Sequence, residues 1–127
     1  MTVAGLAKGV LAPTFSGLFI TEAQAADAAI GEKVFIHRCG LCHEAATEKN
    51  KEGPSLKGIF GRAAGSVAGF AYSGAMKASR VTWSEETLKG YLTNPKAFMP
   101  NNKMAFNGIK REGEMENLIE YFKELAK

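Results

Sequence analysis

Cys39-Gly40-Leu41-Cys42-His43 forms the pattern C-x-x-C-H, which reads as an attachment site for a covalent c-type haem. Two thiols three positions apart on a helical turn can each add to a haem vinyl group, and the adjacent imidazole is carried under the iron. One turn thus supplies both attachment and the axial ligand His43. The chain has 2 Cys in all, and a disulfide between such close partners would constrain the unfolded chain very little. A thioredoxin-type redox pair needs a strand-to-helix junction in a βαβ unit, and strand-like alternation of useful length is absent. Zinc needs four ligands. His37, Cys39, Cys42 and His43 crowd into one short segment that cannot readily wrap a tetrahedron.

On the N-terminal side of the motif, Asp27 is a helix cap and Ile30, Val34 and Phe35 form an apolar stripe running toward Cys39. A first helix therefore delivers the cysteines. On the other side, Gly53, Pro54, Gly58, Gly61, Gly65 and Gly69 interrupt periodicity across 44–71, which predicts structured loop. A short helix is expected around 73–79. Ser84, just after Trp83, caps a further helix carrying Leu88, Tyr91 and Leu92 that stops at Asn94 before Pro95. Residues 95–108 hold Pro95, Pro100 and the adjacent Asn101 and Asn102, a second irregular excursion. From 110 to 125, Met115, Leu118, Ile119, Phe122 and Leu125 recur at helical spacing.

The expected fold class is therefore all-α: three main helices plus short helices, with long loops between them. Such a chain is poorly equipped to build a self-sufficient apolar core. A large, flat, apolar haem would fill the middle and let loops pack against it.

At 127 residues the chain suits a single domain. Its 16 Lys and Arg against 13 Asp and Glu give no reason to expect a nucleic-acid partner. The 8 Phe, 3 Tyr and 1 Trp indicate a globular core. Lys8, an apolar run over 9–20 and the small-residue pattern Ala23-Gln24-Ala25 read as a cleaved signal segment, residues 1–25. The run is interrupted by Pro13 and falls short of the roughly 20 apolar residues a membrane span needs. Residues 26–127 would then be the exported domain.

The sixth iron ligand decides between catalysis and electron transfer. Met115 lies on the apolar stripe of the last helix, where a packing role is expected. Met76, Met99 and Met104 remain, and position alone does not separate Met99 from Met104, since both lie in the irregular loop after Pro95. His37 is too close to His43 along the chain and is expected to face solvent.

Taken together, these residues resemble a class I c-type cytochrome, similar to mitochondrial cytochrome c and to exported bacterial cytochromes of the c-two type. The resemblance spans 28–125 and rests on the attachment site, on Gly31 and Phe35, on Gly53, Pro54, Leu56, Gly58, Gly61 and Arg62, on Tyr72 and Trp83, and on 94–104. It implies a small cytochrome c fold with helices and loops wrapped around one covalent haem. By the resemblance, Met104 is the distal ligand opposite His43, and Pro54 offers its carbonyl to the His43 imidazole. Arg62, Tyr72 and Trp83 hydrogen-bond and shield the haem propionates, Tyr91 lies near the Met104 sulfur, and Phe106 lies beside the exposed haem edge. Gly31 and Phe35 meet Leu118 and Tyr121 of the last helix. Two positions depart from the family near the propionates. Met76 stands where the family often has Asn and cannot replace its donor, while Asn102 stands where Thr or Ser is usual and still has an amide to donate.

With both axial positions filled, the iron would exchange single electrons and offer no open site for oxygen or peroxide. The resemblance implies a soluble monomeric carrier, not an enzyme, and the signal segment points to a bacterial periplasm. Its donor would be a cytochrome bc complex and its acceptor a terminal oxidase or photosynthetic reaction centre. The family's basic docking rim maps to Lys33, Arg38, Lys96, Lys103, Lys110 and Arg111. The competing expectations are a haem enzyme or ligand sensor with a displaceable sixth ligand, and a haem-free redox or metal module built on Cys39 and Cys42.

Overall fold

The structure is a computed structural model that describes residues 4, 5, 9–14, 16, 17 and 25–127. Most of the expected signal segment lies outside the described residues. No helix among the described residues is long and apolar enough to cross a membrane.

Among the described residues, five helices follow one another in the order α1 (Ala28–Arg38), α2 (Gly74–Ala78), α3 (Glu85–Thr93), α4 (Pro95–Phe98) and α5 (Glu114–Leu125). Three are long and two are single turns, as the all-α reading anticipates. Extended pairing among the described residues is confined to one isolated bridge between Ala63 and Thr82.

The helix starts follow capping chemistry. Asp27 accepts from the backbone N–H groups of Ala29 and Ile30, and Ser73 accepts from Met76. Ser84 and Thr87 form a reciprocal capping box at the head of α3. Asn94 ends α3 and also caps α4, accepting from Ala97, while Pro95 occupies the first turn, where its missing N–H costs nothing. That single turn lies inside the segment expected to be irregular, because four residues are too few to show periodicity. The last helix begins at Glu114, later than its apolar spacing implies. Gly113 at φ 81° breaks the chain from the preceding charged run.

α1 and α5 cross in close contact. A Cβ on Gly31 would stand 1.8 Å from the Asn117 carbonyl oxygen and 2.9 Å from the Tyr121 Cβ, so only glycine permits this approach. Phe35 then packs on Tyr121 and Phe122 at ring-centroid distances of 5.7 and 6.1 Å. Leu118, Ile119 and Phe122 form the buried face of α5. Ile30, expected on the buried stripe, is 48% exposed; Gly31 takes its place on the inner face. The α1–α5 crossing and α3 thereby form a frame on which the loops 44–73 and 99–109 are hung.

Candidate functional site

The loops and helices enclose an apolar-walled cavity of about 340 Å³. Cys39, Cys42 and His43 line it from the end of α1, and Met104 and Phe106 line it from the loop after α4. Pro54, Arg62, Tyr72, Trp83 and Tyr91 complete the set of residues singled out from the sequence. All ten thus face one space. Met99 does not line this cavity; it is 7% exposed and packs in the core. His37 is exposed on α1, and Met115 packs against the core.

The attachment turn is built where α1 runs out. Cys39 and Gly40 both donate to the Phe35 carbonyl, and Cys42 and His43 donate back to the Cys39 carbonyl, which curls the chain under the cavity. The following loop is stapled to this turn. Gly53 N–H donates to the Cys42 carbonyl at 2.8 Å, Leu56 N–H to Glu44 at 2.8 Å, and Lys51 Nζ to the Gly40 carbonyl at 2.7 Å.

This staple orients His43. Its Nδ1 lies 2.7 Å from the Pro54 carbonyl oxygen, so Nδ1 carries the proton and Nε2 is left as the free electron pair. Burial holds the imidazole below its ordinary pKa, outweighing the opposing effect of the Pro54 bond. Nearby Lys51 and Arg62 act in the same direction as burial. A neutral ring is the form that can ligate a metal. Gly53 runs so close to the ring that an added Cβ would lie 2.2 Å from His43 Cε1.

Asn50 and Ser55, which were not singled out from the sequence, brace this arrangement together with Arg62. Asn50 accepts from Ser55 N–H and donates to the Ala68 carbonyl, tying the 50s loop to the 60s loop. Ser55, 3% exposed, donates to the Thr47 carbonyl. Arg62 donates to the carbonyls of Ser55 and Lys57 at 3.0 and 3.1 Å. The only sequence signal for these partners was their place among loop-forming residues. Each bond joins a side chain to a backbone atom several residues away in the loop and follows no local motif.

On the opposite wall, the Tyr91 hydroxyl points at the Met104 sulfur at 4.0 Å. Burial pushes the Tyr91 phenol up to about 12, so it keeps its proton. Asn102 corrects an expectation. Its amide does not reach for an anion in the cavity: Nδ2 donates to the carbonyls of Pro95 and Met99, and Oδ1 accepts from Met104 N–H. Met76 lines the cavity.

The donor set fits a haem. Two free thiols lie beside a neutral imidazole, with a thioether in the same cavity and apolar walls around them. The partly buried Arg62 guanidinium lines this space, and desolvation lowers its pKa. A cation in that setting suits an anionic group such as a propionate. The haem-free alternatives fit less well. Burial pushes Cys39 up to about 11 despite neighbouring Arg38, whereas exchange-active thiols are shifted down, typically at helix N-termini; Cys39 ends a helix. Among the described residues, no three His, Cys, Asp or Glu side chains group in a way that could hold a metal ion.

The basic residues expected at a docking rim differ in their surroundings. Arg38 and Arg111 both reach Glu114, at 3.3 and 3.8 Å. Lys110 donates to the Thr93 carbonyl at 2.6 Å. Lys103 bonds the Ala71 carbonyl and places its ammonium 4.8 Å from the Phe70 ring centroid. Lys33 and Lys96 are exposed.

Comparison with known proteins follows the same outline. Residues 28–126 match the family model described as Cytochrome c. The chain is 53% identical over 106 residues to a cytochrome c of Chlamydomonas reinhardtii, covering 81% of this chain and 93% of that one. It is 46% identical over 114 residues to the cytochrome c2 of Blastochloris viridis, covering 85% and 89% respectively. Among solved structures, cytochrome cH from Methylobacterium extorquens superposes with a TM-score of 0.72 at 43% identity, covering 78% of this chain and 99% of that one.

Proposed function

The chain belongs to the cytochrome c family, and from that premise we propose that it shuttles single electrons through a haem attached at Cys39 and Cys42 and ligated by His43 and Met104. Its family binds covalently attached haem c and works as electron carriers rather than enzymes. The bound haem supplies reversible one-electron exchange at its iron.

The chain's own residues govern that exchange. Pro54 holds the Nδ1 proton of His43 and so keeps Nε2 available as the proximal ligand. Met104 supplies a soft sulfur that favours the ferrous state, and Tyr91 donates toward that sulfur. Arg62, Tyr72, Trp83 and Phe106 line the same cavity; in this reading the first three would pair with and shield the propionates, and Phe106 would cover the edge through which the electron leaves. The observation that carries this reading is that His43 and the Met104 side chain line the same cavity while Met99 is packed in the core.

An absorption spectrum of purified holoprotein tests it. A low-spin ferrous spectrum and a weak red sulfur-to-iron band in the ferric protein are expected, and Met104→Ala should abolish that band. Its survival in the variant would overturn Met104 as ligand. High-spin bands in the parent protein would instead favour an open site.

Residues 1–25 read as a cleaved leader and 26–127 as a soluble monomer of the bacterial periplasm. Its partners in this reading are a cytochrome bc complex as donor and a terminal oxidase or photosynthetic reaction centre as acceptor. The basic rim of Lys33, Arg38, Lys96, Lys103, Lys110 and Arg111 would steer docking. The mass of exported protein checks cleavage and haem attachment together; an uncleaved mass would overturn the reading of residues 1–25 as a cleaved leader.

A further inference from the structure

α4 is one turn long, so few of its carbonyls have a helical partner: Pro95 accepts from Met99 N–H at 2.9 Å, and the Met99 carbonyl beyond it accepts from Asn102 N–H at 3.3 Å. The chain must then reverse and bring Met104 to the cavity wall within five residues of Met99. Asn101 makes the reversal in the left-handed region at φ 66°. Pro100 has no polar side-chain atom, Asn101 is exposed, and Lys103 reaches outward to Ala71. Asn102 is the side chain that turns inward, at 8% exposed.

Its bonds link the two ends of the strap. Nδ2 donates to the Pro95 carbonyl at 3.0 Å and to the Met99 carbonyl at 2.8 Å. Oδ1 accepts from Met104 N–H at 2.9 Å. A planar amide meets this demand because it offers two donors and an acceptor on one short side chain. Threonine has one hydroxyl proton and could serve only one of the two carbonyls. Aspartate keeps the acceptor but turns a carboxylate oxygen toward two carbonyl oxygens.

We propose that Asn102 is a positioning residue for the Met104 thioether, locking the Met104 backbone to the end of α4 and so setting how readily an outside base replaces the sulfur. The inference rests on Met104 being the distal ligand. In the exchange it controls, the sulfur-to-iron bond breaks and a bond from an imidazole nitrogen to iron forms, with no electron transferred. Opening the strap requires the Asn102 bonds to be broken or carried along, and a weakened lock makes the open form more accessible.

The test compares ferric holoprotein with its Asn102→Thr, Asn102→Asp and Asn102→Leu variants. Imidazole titration, the red sulfur-to-iron band and far-ultraviolet circular dichroism are read for each. Asn102→Asp and Asn102→Leu should bind imidazole about tenfold more tightly than the parent, as expected for the loss of one or two backbone-directed hydrogen bonds. Asn102→Thr should fall between them and the parent, with helix content unchanged throughout. Should Asn102→Leu fail to fold, the ordering parent, Thr, Asp carries the same prediction. Ile119→Val, a core change on α5, serves as control and should lower thermal stability without moving imidazole affinity. Folded Asn102 variants with the parent's imidazole affinity would overturn the proposal, as would an equal gain in Ile119→Val. A parent protein without the sulfur band removes the Met104 ligation and this role of Asn102 together, whereas a parent band with unresponsive variants removes only the latter.

Discussion

The Tyr91 hydroxyl lies 4.0 Å from the Met104 sulfur and donates toward it from a phenol that burial keeps protonated. A proton directed at the thioether draws on the same electron density the sulfur would give to ferric iron. Removing it makes the sulfur a better donor to the oxidised state. Tyr91→Phe should therefore lower the reduction potential by roughly tens of millivolts, the equivalent of a hydrogen bond worth about 1 kcal/mol at about 59 mV per tenfold for one electron. Potentiometric titration of the two proteins measures the change, and an unchanged or raised potential would contradict this role for Tyr91.

Gly53 passes so close to His43 that a methyl group there would sit 2.2 Å from Cε1 and 2.6 Å from Nδ1. Neither side can move freely, since Gly53 is bonded to the Cys42 carbonyl and the ring to Pro54. Gly53→Ala should cost about 1–3 kcal/mol, the range for overpacking a filled site, and should tilt the imidazole away from Pro54. Thermal unfolding reports the first effect and the hyperfine-shifted ring resonances of the ferric protein the second. A variant with parental melting temperature and parental ring shifts would show that the contact relaxes at no cost.

These two sites differ in how far they could be read beforehand. Cys39, Cys42 and His43 are legible because their chemistry is written in adjacent residues, and the caps Asp27, Ser73 and Ser84 are legible because capping is a local bond. Met104 could be separated from Met99 only by resemblance to a family, since the difference lies in which way each side chain faces on either side of the turn at Asn101. Asn102 was legible as a departure but not as a lock: its partners Pro95 and Met99 are set by the one-turn α4, which leaves no periodic trace. Ile30 was misplaced because α1 turns a glycine, not its largest apolar residue, toward α5.

Glu85 at the head of α3 receives Lys123 from α5 at 2.8 Å and Lys89 from its own helix at 3.0 Å. The Lys123 bond, followed by that from Lys89, holds its carboxyl below the ordinary value. A depressed folded-state pKa means the contribution to stability is complete above the unfolded-state pKa and is lost as pH falls through the folded-state value. The Glu85→Gln variant should therefore melt slightly below the parent at neutral pH, and the gap should close in acid. Because the pair is solvent-exposed, high salt should also narrow it. Melts across pH and ionic strength decide the matter; a gap that persists in acid would assign the effect to something other than charge.

Docking charges can be ranked by what already surrounds them. Arg38 and Arg111 converge on Glu114, which offsets part of their field, and Lys103 and Lys110 are folded back onto carbonyls. Lys33 and Lys96 are exposed and project their charge outward. Reversing both, in Lys33→Glu with Lys96→Glu, should slow association with an acidic redox partner severalfold at low ionic strength. Reversing Arg111 alone should do less, since its neighbour Glu114 already screens it. The deficit should fade as the Debye length shrinks from about 30 Å at 0.01 M toward about 3 Å at 1 M salt. Stopped-flow reduction kinetics at several salt concentrations measure this. Rates that are insensitive to salt and to the double reversal would mean that the partner docks by apolar contact around Phe106 instead of by the basic rim.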